Sequence, residues 1–290
     1  MAEVTVVLMA YGTPRTREEI EPYYTDIRRG RPPTPELLAD LVRRYDAIGG
    51  ISPLAALTEA QRSALAAALE AREPGRFDVV LGLKHAHPMI EETAAEVAAR
   101  GVRRVVGLVL APHYSAFSVG QYQDRLRTAL EPSGCDVRAI DSWASNAAYV
   151  GFLGTEVKRS LAALPEGSTI LFTAHSLPER ILAAGDPYPT ELRTTATWVA
   201  AAAGLAPGSW SVAYQSAGRT PEPWLGPDIL AAIDALAEQG VPGVLVCPCG
   251  FVADHLEVLY DLDIEAAQHA AARGLAFART ASMKIGRAHV

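Results

Sequence analysis

The chain has 290 residues, 49% of them hydrophobic, and a formal net charge of -7, enough apolar side chain for one large or two medium globular domains. Acidic residues outnumber basic ones by 33 to 26, which excludes a general affinity for nucleic acid or anionic lipid, since both require a cationic face. No apolar run reaches the length of a membrane span, and the opening MAEVTVVLMAYG lacks a basic leader and reads as a strand, so a cytoplasmic protein with no stable membrane association is expected.

In chain order, short β-rich runs alternate with longer helical patterns. VTVVLMA at 4–10, DVVLGLK at 78–84, RVVGLVLA at 104–111 and DVRAIDSW at 136–143 fall in the first half; STILFTA at 168–174, WSVAYQS at 210–216, GVLVCPC at 243–249 and LAFART at 275–280 fall in the second. Runs so uniformly apolar suit strands buried on both faces, and the helical stretches between them supply the crossovers that parallel pairing needs. The pattern predicts two Rossmann-like, doubly wound α/β domains on parallel four-stranded sheets, spanning 1–145 and 146–283.

In such sheets ligands sit beyond the carboxyl ends of the strands. Those ends carry Tyr11, Lys84, His85 and His113 in the first half, and His175, Gln215, Ser216, Cys249 and Gly250 in the second. One histidine at a strand end commonly does no more than tie down a loop; recurrence at several ends points to a cleft between the halves. The chain contains no GxGxxG, Walker, GxSxG or HExxH motif, and Ser176, directly after His175, sits in no strained elbow, so hydrolase chemistry is not expected. The three cysteines, Cys135, Cys247 and Cys249, are too few for a disulfide framework; CPC without a second pair reads as buried thiols rather than zinc ligands.

The stretch GFVADHLEVLYDLDIE, 250–265, reads as a helix that lines Glu257, Asp261 and Glu265, four residues apart, along one face. Two readings are open on the residues alone. Asp254 can cap the helix with Glu257 completing a capping box, leaving the other two solvated, or the row can offer successive oxygen sites to a divalent cation.

The strings MAYGTP, YYTDIRRGRPP, RRYDAIGGISPLA, GLKHAHPMIEE, LAPHYSAFSVGQY, FTAHSLPERI, GDPYPTEL, YQSAGRTPEPWLGPD and CGFVADHLEVLYDLD, in this order from about residue 4 to 283, resemble the ferrochelatases, most of all the soluble, monomeric coproporphyrin III ferrochelatases of Gram-positive bacteria. The resemblance implies a chelatase-like fold and a lyase that inserts Fe(II) into coproporphyrin III to form coproheme. It implies that His175 and Glu257 face each other across the porphyrin cleft as catalytic residues and iron ligands, with Asp261 and Glu265 as a secondary metal path and His85 as a further candidate near the metal. Tyr11 is implied on the opposite ring face, catalytic and in contact with substrate. Arg28, Arg44, Tyr45, Ser52 and Tyr122 are implied contacts of the macrocycle and its propionates, for which arginine forks and hydroxyls are suited; Arg29 and Arg31 are expected to be solvated.

Insertion also requires the two pyrrole protons to leave and the flat ring to be bent, at the expense of binding contacts elsewhere on the ligand. Alternatives are a protoporphyrin IX ferrochelatase, a cobalt or nickel chelatase for a more reduced tetrapyrrole, and a tetrapyrrole carrier without turnover. Beyond the iron substrate no cofactor is expected, and Cys135, Cys247 and Cys249 do not make the four ligands of an iron–sulfur cluster. The porphyrin and ferrous iron are the expected partners of a monomer. The ending ASMKIGRAHV lacks the family's closing helix, and Lys284–Val290 matches what a read-through sequencing adapter would encode, so 284–290 are expected to be an artefactual tail.

Overall fold

The computed structural model describes residues 2–283; Met1 and Lys284–Val290, on which the expectation of an artefactual tail falls, lie outside the described residues. Strands form in all eight places expected of them: β1 Val4–Ala10, β2 Phe77–Leu83, β3 Arg104–Val109, β4 Asp136–Ile140, β5 Thr169–His175, β6 Trp210–Gln215, β7 Gly243–Cys247 and β8 Ala276–Arg279. They build two four-stranded sheets, ordered β2-β1-β3-β4 and β6-β5-β7-β8, with every neighbouring pair parallel. Some strands stop short of their apolar runs. β7 ends at Cys247 because Pro248 has no N–H to give the ladder.

Helices α1 Ile20–Ile27, α2 Pro35–Ala47 and α3 Leu54–Arg72 lie between β1 and β2, and α4 Ile90–Ala99 and α5 Val119–Leu130 flank β3. Thr34 caps α2 by accepting the Leu37 N–H, and Pro35 at the first position loses nothing there because that N–H has no partner within the helix. The second sheet is covered by α6 Ala147–Leu161, α7 Arg180–Ala183, α8 Tyr188–Ala203, α9 Ile229–Glu238, α10 Leu256–Leu259, a π-helical segment Asp261–Ala266 and α11 Ala267–Ala272.

The cores follow strand alternation. On β5, Ile170 and Phe172 pack with Leu153, Val157, Leu192 and Val199 of α6 and α8, while Leu171 points the other way into Ile233, Leu236, Leu262 and Ala266. Thus the π segment that carries the acidic row is pinned to the sheet by its own apolar side. In each sheet the strand order reverses beside a central strand, β1 or β5, and such a reversal opens a crevice at the strands' carboxyl ends. Tyr11 follows β1 and His175 ends β5. No described helix is long and apolar enough to cross a membrane.

Candidate active site

His175 and Glu257 meet: imidazole Nε2 lies 3.5 Å from Glu257 Oε1, and each side chain is 35% accessible. His175 Nδ1 faces the Ser176 carbonyl; a carbonyl only accepts, so Nδ1 carries a proton and Nε2 is the nitrogen that changes state. Tyr188 supports the strand tip from below by donating its hydroxyl to the His175 carbonyl at 2.9 Å. The second Glu257 oxygen is 3.5 Å from Nε2 of His255, a neighbour that no sequence pattern marks out.

Burial alone would make the His175 imidazole less basic, but the adjacent Glu257 carboxylate raises it to about 9. Burial acts on Glu257 in the opposite sense, raising its pKa, and is overcome by His175 and His255, which hold the carboxyl well below the usual range. The resting pair is therefore imidazolium and carboxylate.

The capping reading of Glu257 is overturned. The turn begins at Leu256 with His255 at the cap and no side-chain cap bond, while the Asp254 carboxylate accepts from Ser282 at 2.6 Å and pairs with Arg279 at 3.2 Å. The continuous α-helix assumed for the acidic row is also corrected. Only Leu256–Leu259 is α-helical before the π segment begins, where Glu265 N–H bonds to Tyr260 O at 2.9 Å. Asp261 and Glu265 consequently differ in setting. Asp261 is 7% exposed, receives the Ser216 hydroxyl at 2.5 Å and sits 3.5 Å from an Arg44 guanidinium nitrogen; its carboxyl is pushed up to about 6 by burial, with the Glu257 charge adding to it. Glu265 is exposed.

The first half supplies the facing wall. Tyr11 is 41% exposed, its ring 4.6 Å from that of His85 and 6.5 Å from that of Tyr23. Burial chiefly, and then the Glu257 charge, raises the phenol pKa of Tyr11. The same carboxylate adds to the burial effect at Tyr23, Tyr45, Tyr122 and Tyr188. His85 is held by Asp26 at 2.7 Å and made less basic mainly by burial. Lys84 donates to Gln121 at 2.7 Å, stands 5.0 Å from the Tyr122 ring centre, and is pushed down to about 8 by burial with Arg125 and Arg29 contributing.

The residues expected to hold substrate sit as follows. Arg44 stacks over Tyr260 at 4.9 Å and reaches Asp40 at 3.2 Å as well as Asp261. Asp40 is also bound by Arg219 of the second half at 2.6 Å, so charged groups bridge the two halves here. Tyr45 is 2% exposed, its hydroxyl 3.4 Å from that of Thr13. Ser52 is 5% exposed and accepts the Leu54 N–H at 3.2 Å, at the start of α3. Arg28 lies 5.7 Å over the Tyr24 ring and donates to the Arg31 carbonyl at 3.2 Å; Arg29 and Arg31 are exposed.

Ser176, the residue weighed for hydrolysis, is buried and donates to the Leu225 carbonyl at 2.8 Å. Cys247 and Cys249 are fully buried in the hydrophobic core. Among the described residues no three His, Cys, Asp or Glu side chains are grouped to hold a metal ion. His175 and Glu257 are a pair of partly accessible polar side chains 3.5 Å apart.

Residues 3–290 match the ferrochelatase family profile. The chain is 45% identical to the coproporphyrin III ferrochelatase of Oceanobacillus iheyensis over 91% of its own length and 86% of the relative's, 45% identical to that of Bacillus subtilis over 90% and 86%, and 43% identical to a ferrochelatase of Herpetosiphon aurantiacus over 96% and 92%. In three dimensions it is similar to Bacillus subtilis SirB, solved with Fe3+, with a TM-score of 0.58 at 11% identity, covering 99% of this chain and 91% of the other. It is also similar to CbiX, the terminal enzyme for biosynthesis of sirohaem in denitrifying bacteria, with a TM-score of 0.51 at 12% identity, covering 98% and 93%. At such identities the likeness shows the shared two-sheet architecture.

Proposed function

The chain belongs to the ferrochelatase family, and from that premise we propose that it inserts Fe(II) into coproporphyrin III, yielding coproheme for haem biosynthesis, with His175 and Glu257 as the reacting pair. The observation that carries the assignment of residues is the 3.5 Å approach of His175 Nε2 to Glu257 Oε1, both side chains being 35% accessible. The porphyrin is taken as coproporphyrin III because relatives near 45% identity over most of the chain carry that name.

An imidazolium can neither accept a pyrrole proton nor ligate iron. The resting ion pair therefore sets the order of events: as the cation arrives, the His175 Nε2 proton is released to solvent, as metal binding to nitrogen donors releases protons in general. Nε2 is then free to ligate iron or to take a proton from the macrocycle, while Glu257 balances the added charge. Tyr11 keeps its phenolic proton and serves the opposite ring face as a neutral oxygen donor. Asp261 and Glu265, with His85 on the facing wall, are secondary positions for the approaching metal; Asp261 is the better placed of the two carboxylates, since it lies nearer the pair and is already partly desolvated. Arg28 and Arg44, with the hydroxyls of Tyr45, Ser52 and Tyr122, are the proposed contacts of the propionates and ring. A soluble cytoplasmic monomer is the proposed working form.

Anaerobic incubation with Fe(II) and either coproporphyrin III or protoporphyrin IX, followed by absorbance, tests the reading. Faster metallation of coproporphyrin III is expected. A preference for protoporphyrin IX overturns the substrate assignment, and tight binding of both porphyrins with metallation of neither identifies a carrier.

A further inference from the structure

One residue is hydrogen-bonded to both segments of the reacting pair. Gln215, the last residue of β6, is fully buried and lies opposite His175 in the strand register. Its backbone carbonyl accepts the Ser176 N–H at 2.7 Å. Its side-chain nitrogen donates to the Glu257 carbonyl at 2.7 Å, and its side-chain oxygen accepts the Thr173 hydroxyl at 2.9 Å. Thr173 precedes His175 by two positions on β5. The orientation of the amide is fixed chemically, because the Glu257 carbonyl can only accept and the Thr173 hydroxyl is left to donate. A carboxylate or an apolar side chain in its place cannot make both bonds.

The Glu257 carbonyl lies in the short turn just ahead of the π segment, so the Gln215 amide holds the main chain where Glu257 leaves it. The following residue extends the tether: Ser216 adopts a left-handed φ of 60°, strained for a residue with a Cβ, and its hydroxyl bonds Asp261. Gln215 itself is fully buried and offers no surface to a porphyrin. We propose that Gln215 is a positioning residue that sets the separation of His175 from Glu257 and thereby the rate of metal insertion. This inference rests on the chelatase reading.

Single-turnover metallation of coproporphyrin III, porphyrin affinity by fluorescence, and melting temperature are to be compared for Gln215→Met, Thr173→Val, Thr173→Ser and the Gln215→Met/Thr173→Val pair. Gln215→Met is expected to slow insertion by about ten- to a hundredfold, the scale on which a small displacement of reacting groups acts, with porphyrin affinity unchanged. Thr173→Val should be slowed less, Thr173→Ser should retain the wild-type rate, and the double variant should be no slower than Gln215→Met alone, since Thr173 acts through the same amide. In the resting protein the His175 ring nitrogen resonance, identified by its disappearance in His175→Ala, should shift in Gln215→Met, because the Glu257 carboxylate beside it is displaced.

An unshifted resonance overturns the positioning role whether or not the wild type turns over. So does a Gln215→Met variant that metallates at the wild-type rate, or one whose rate, porphyrin affinity and melting temperature fall together. A wild type that binds coproporphyrin III without metallating it, with the resonance shifted as expected, overturns the chelatase reading and leaves the positioning of the pair standing.

Discussion

Glu257 reaches His175 from a neighbouring turn, Oε1 to Nε2 at 3.5 Å, and the pair rests as carboxylate and imidazolium. Replacing His175 with Ala removes the nitrogen that changes protonation state and leaves the proposed propionate contacts in place. Insertion should fall by about 10²–10⁴, the usual worth of a positioned acid or base, while coproporphyrin affinity measured by fluorescence stays near the wild type. Loss of porphyrin binding in parallel with rate would show the histidine to be part of the binding surface instead.

The same pair predicts a pH profile. Insertion needs Nε2 without its proton, so the rate should rise with pH. In the resting protein the imidazole is held up at about 9 against an ordinary value of 6.5, and the arriving cation pulls the observed midpoint below that. Glu257→Gln removes the carboxylate that holds the proton on. Its acid limb should shift to lower pH even as its maximal rate drops, and a limb that stays in place contradicts the assignment. The raised imidazole also ties stability to pH: its favourable contribution is complete below 6.5 and is lost as pH rises through about 9.

A different histidine should govern acid stability. His113, in the loop after β3, is 1% exposed, with Nε2 3.0 Å from the Thr195 hydroxyl, and burial pushes its pKa down to about 3. Folded chains keep it neutral while unfolded chains protonate it near 6.5, so its contribution to stability is full above 6.5 and declines as pH falls toward about 3. The slope approaches roughly 1.4 kcal/mol per pH unit. Urea unfolding of His113→Gln between these limits should show a correspondingly flatter dependence; an equal slope in both proteins excludes His113 as the cause.

What could be read in the sequence, and what could not, divides along the range of the interactions. The strands were legible because an apolar run between polar helices has few alternatives, and the positions of Tyr11, His85 and His175 followed from the rule that ligands gather at strand ends. The acidic stretch was misread as one α-helix. Its π geometry goes with tertiary contacts: the Glu257 carbonyl is taken by Gln215, 42 positions away, and Leu262 and Ala266 are buried against the second sheet. Asp254 fits a cap by sequence, but the neighbouring strand β8 and the residues after it bring Arg279 and Ser282 beside it. His255 is marked out by no sequence pattern, and only the turn that starts at Leu256 brings its Nε2 to 3.5 Å from Glu257.

The three thiols should separate by reactivity. Cys247 is pushed up to about 12 by burial, against a lowering contribution from the Thr280 hydroxyl, and the Cys249 thiol is raised well above its usual value, again mainly by burial. Both are fully enclosed, whereas Cys135 is only half-buried and donates its thiol to the Val102 carbonyl at 2.8 Å. Since the thiolate is the reactive species, a thiol reagent at neutral pH should label Cys135 alone in the native protein and all three in denaturant. Native labelling of Cys247 or Cys249 would mean that the core around β7 opens.

The loop leading to Glu257 depends on a glycine for reasons of space. A Cβ on Gly250 would lie 2.4 Å from the Ala174 Cβ and 2.7 Å from its Cα, at the point where the Gly250 N–H donates to the Thr173 carbonyl at 3.0 Å. Ala174 immediately precedes His175, so a methyl group at Gly250 presses directly on the strand that carries the imidazole. Backbone cannot yield as a side-chain tip can, and such overpacking costs about 1–3 kcal/mol. Gly250→Ala should therefore lower the melting temperature and also slow metallation by more than the small loss of folded protein explains, because it drives apart the two backbones whose side chains must meet. Gly151→Ala, at a helical position where the new methyl meets nothing within 4 Å, is the control: it should leave the rate unchanged and raise the melting temperature slightly through helix propensity. Equal behaviour of the two variants would show that the crowding at Gly250 is relieved without moving His175 or Glu257.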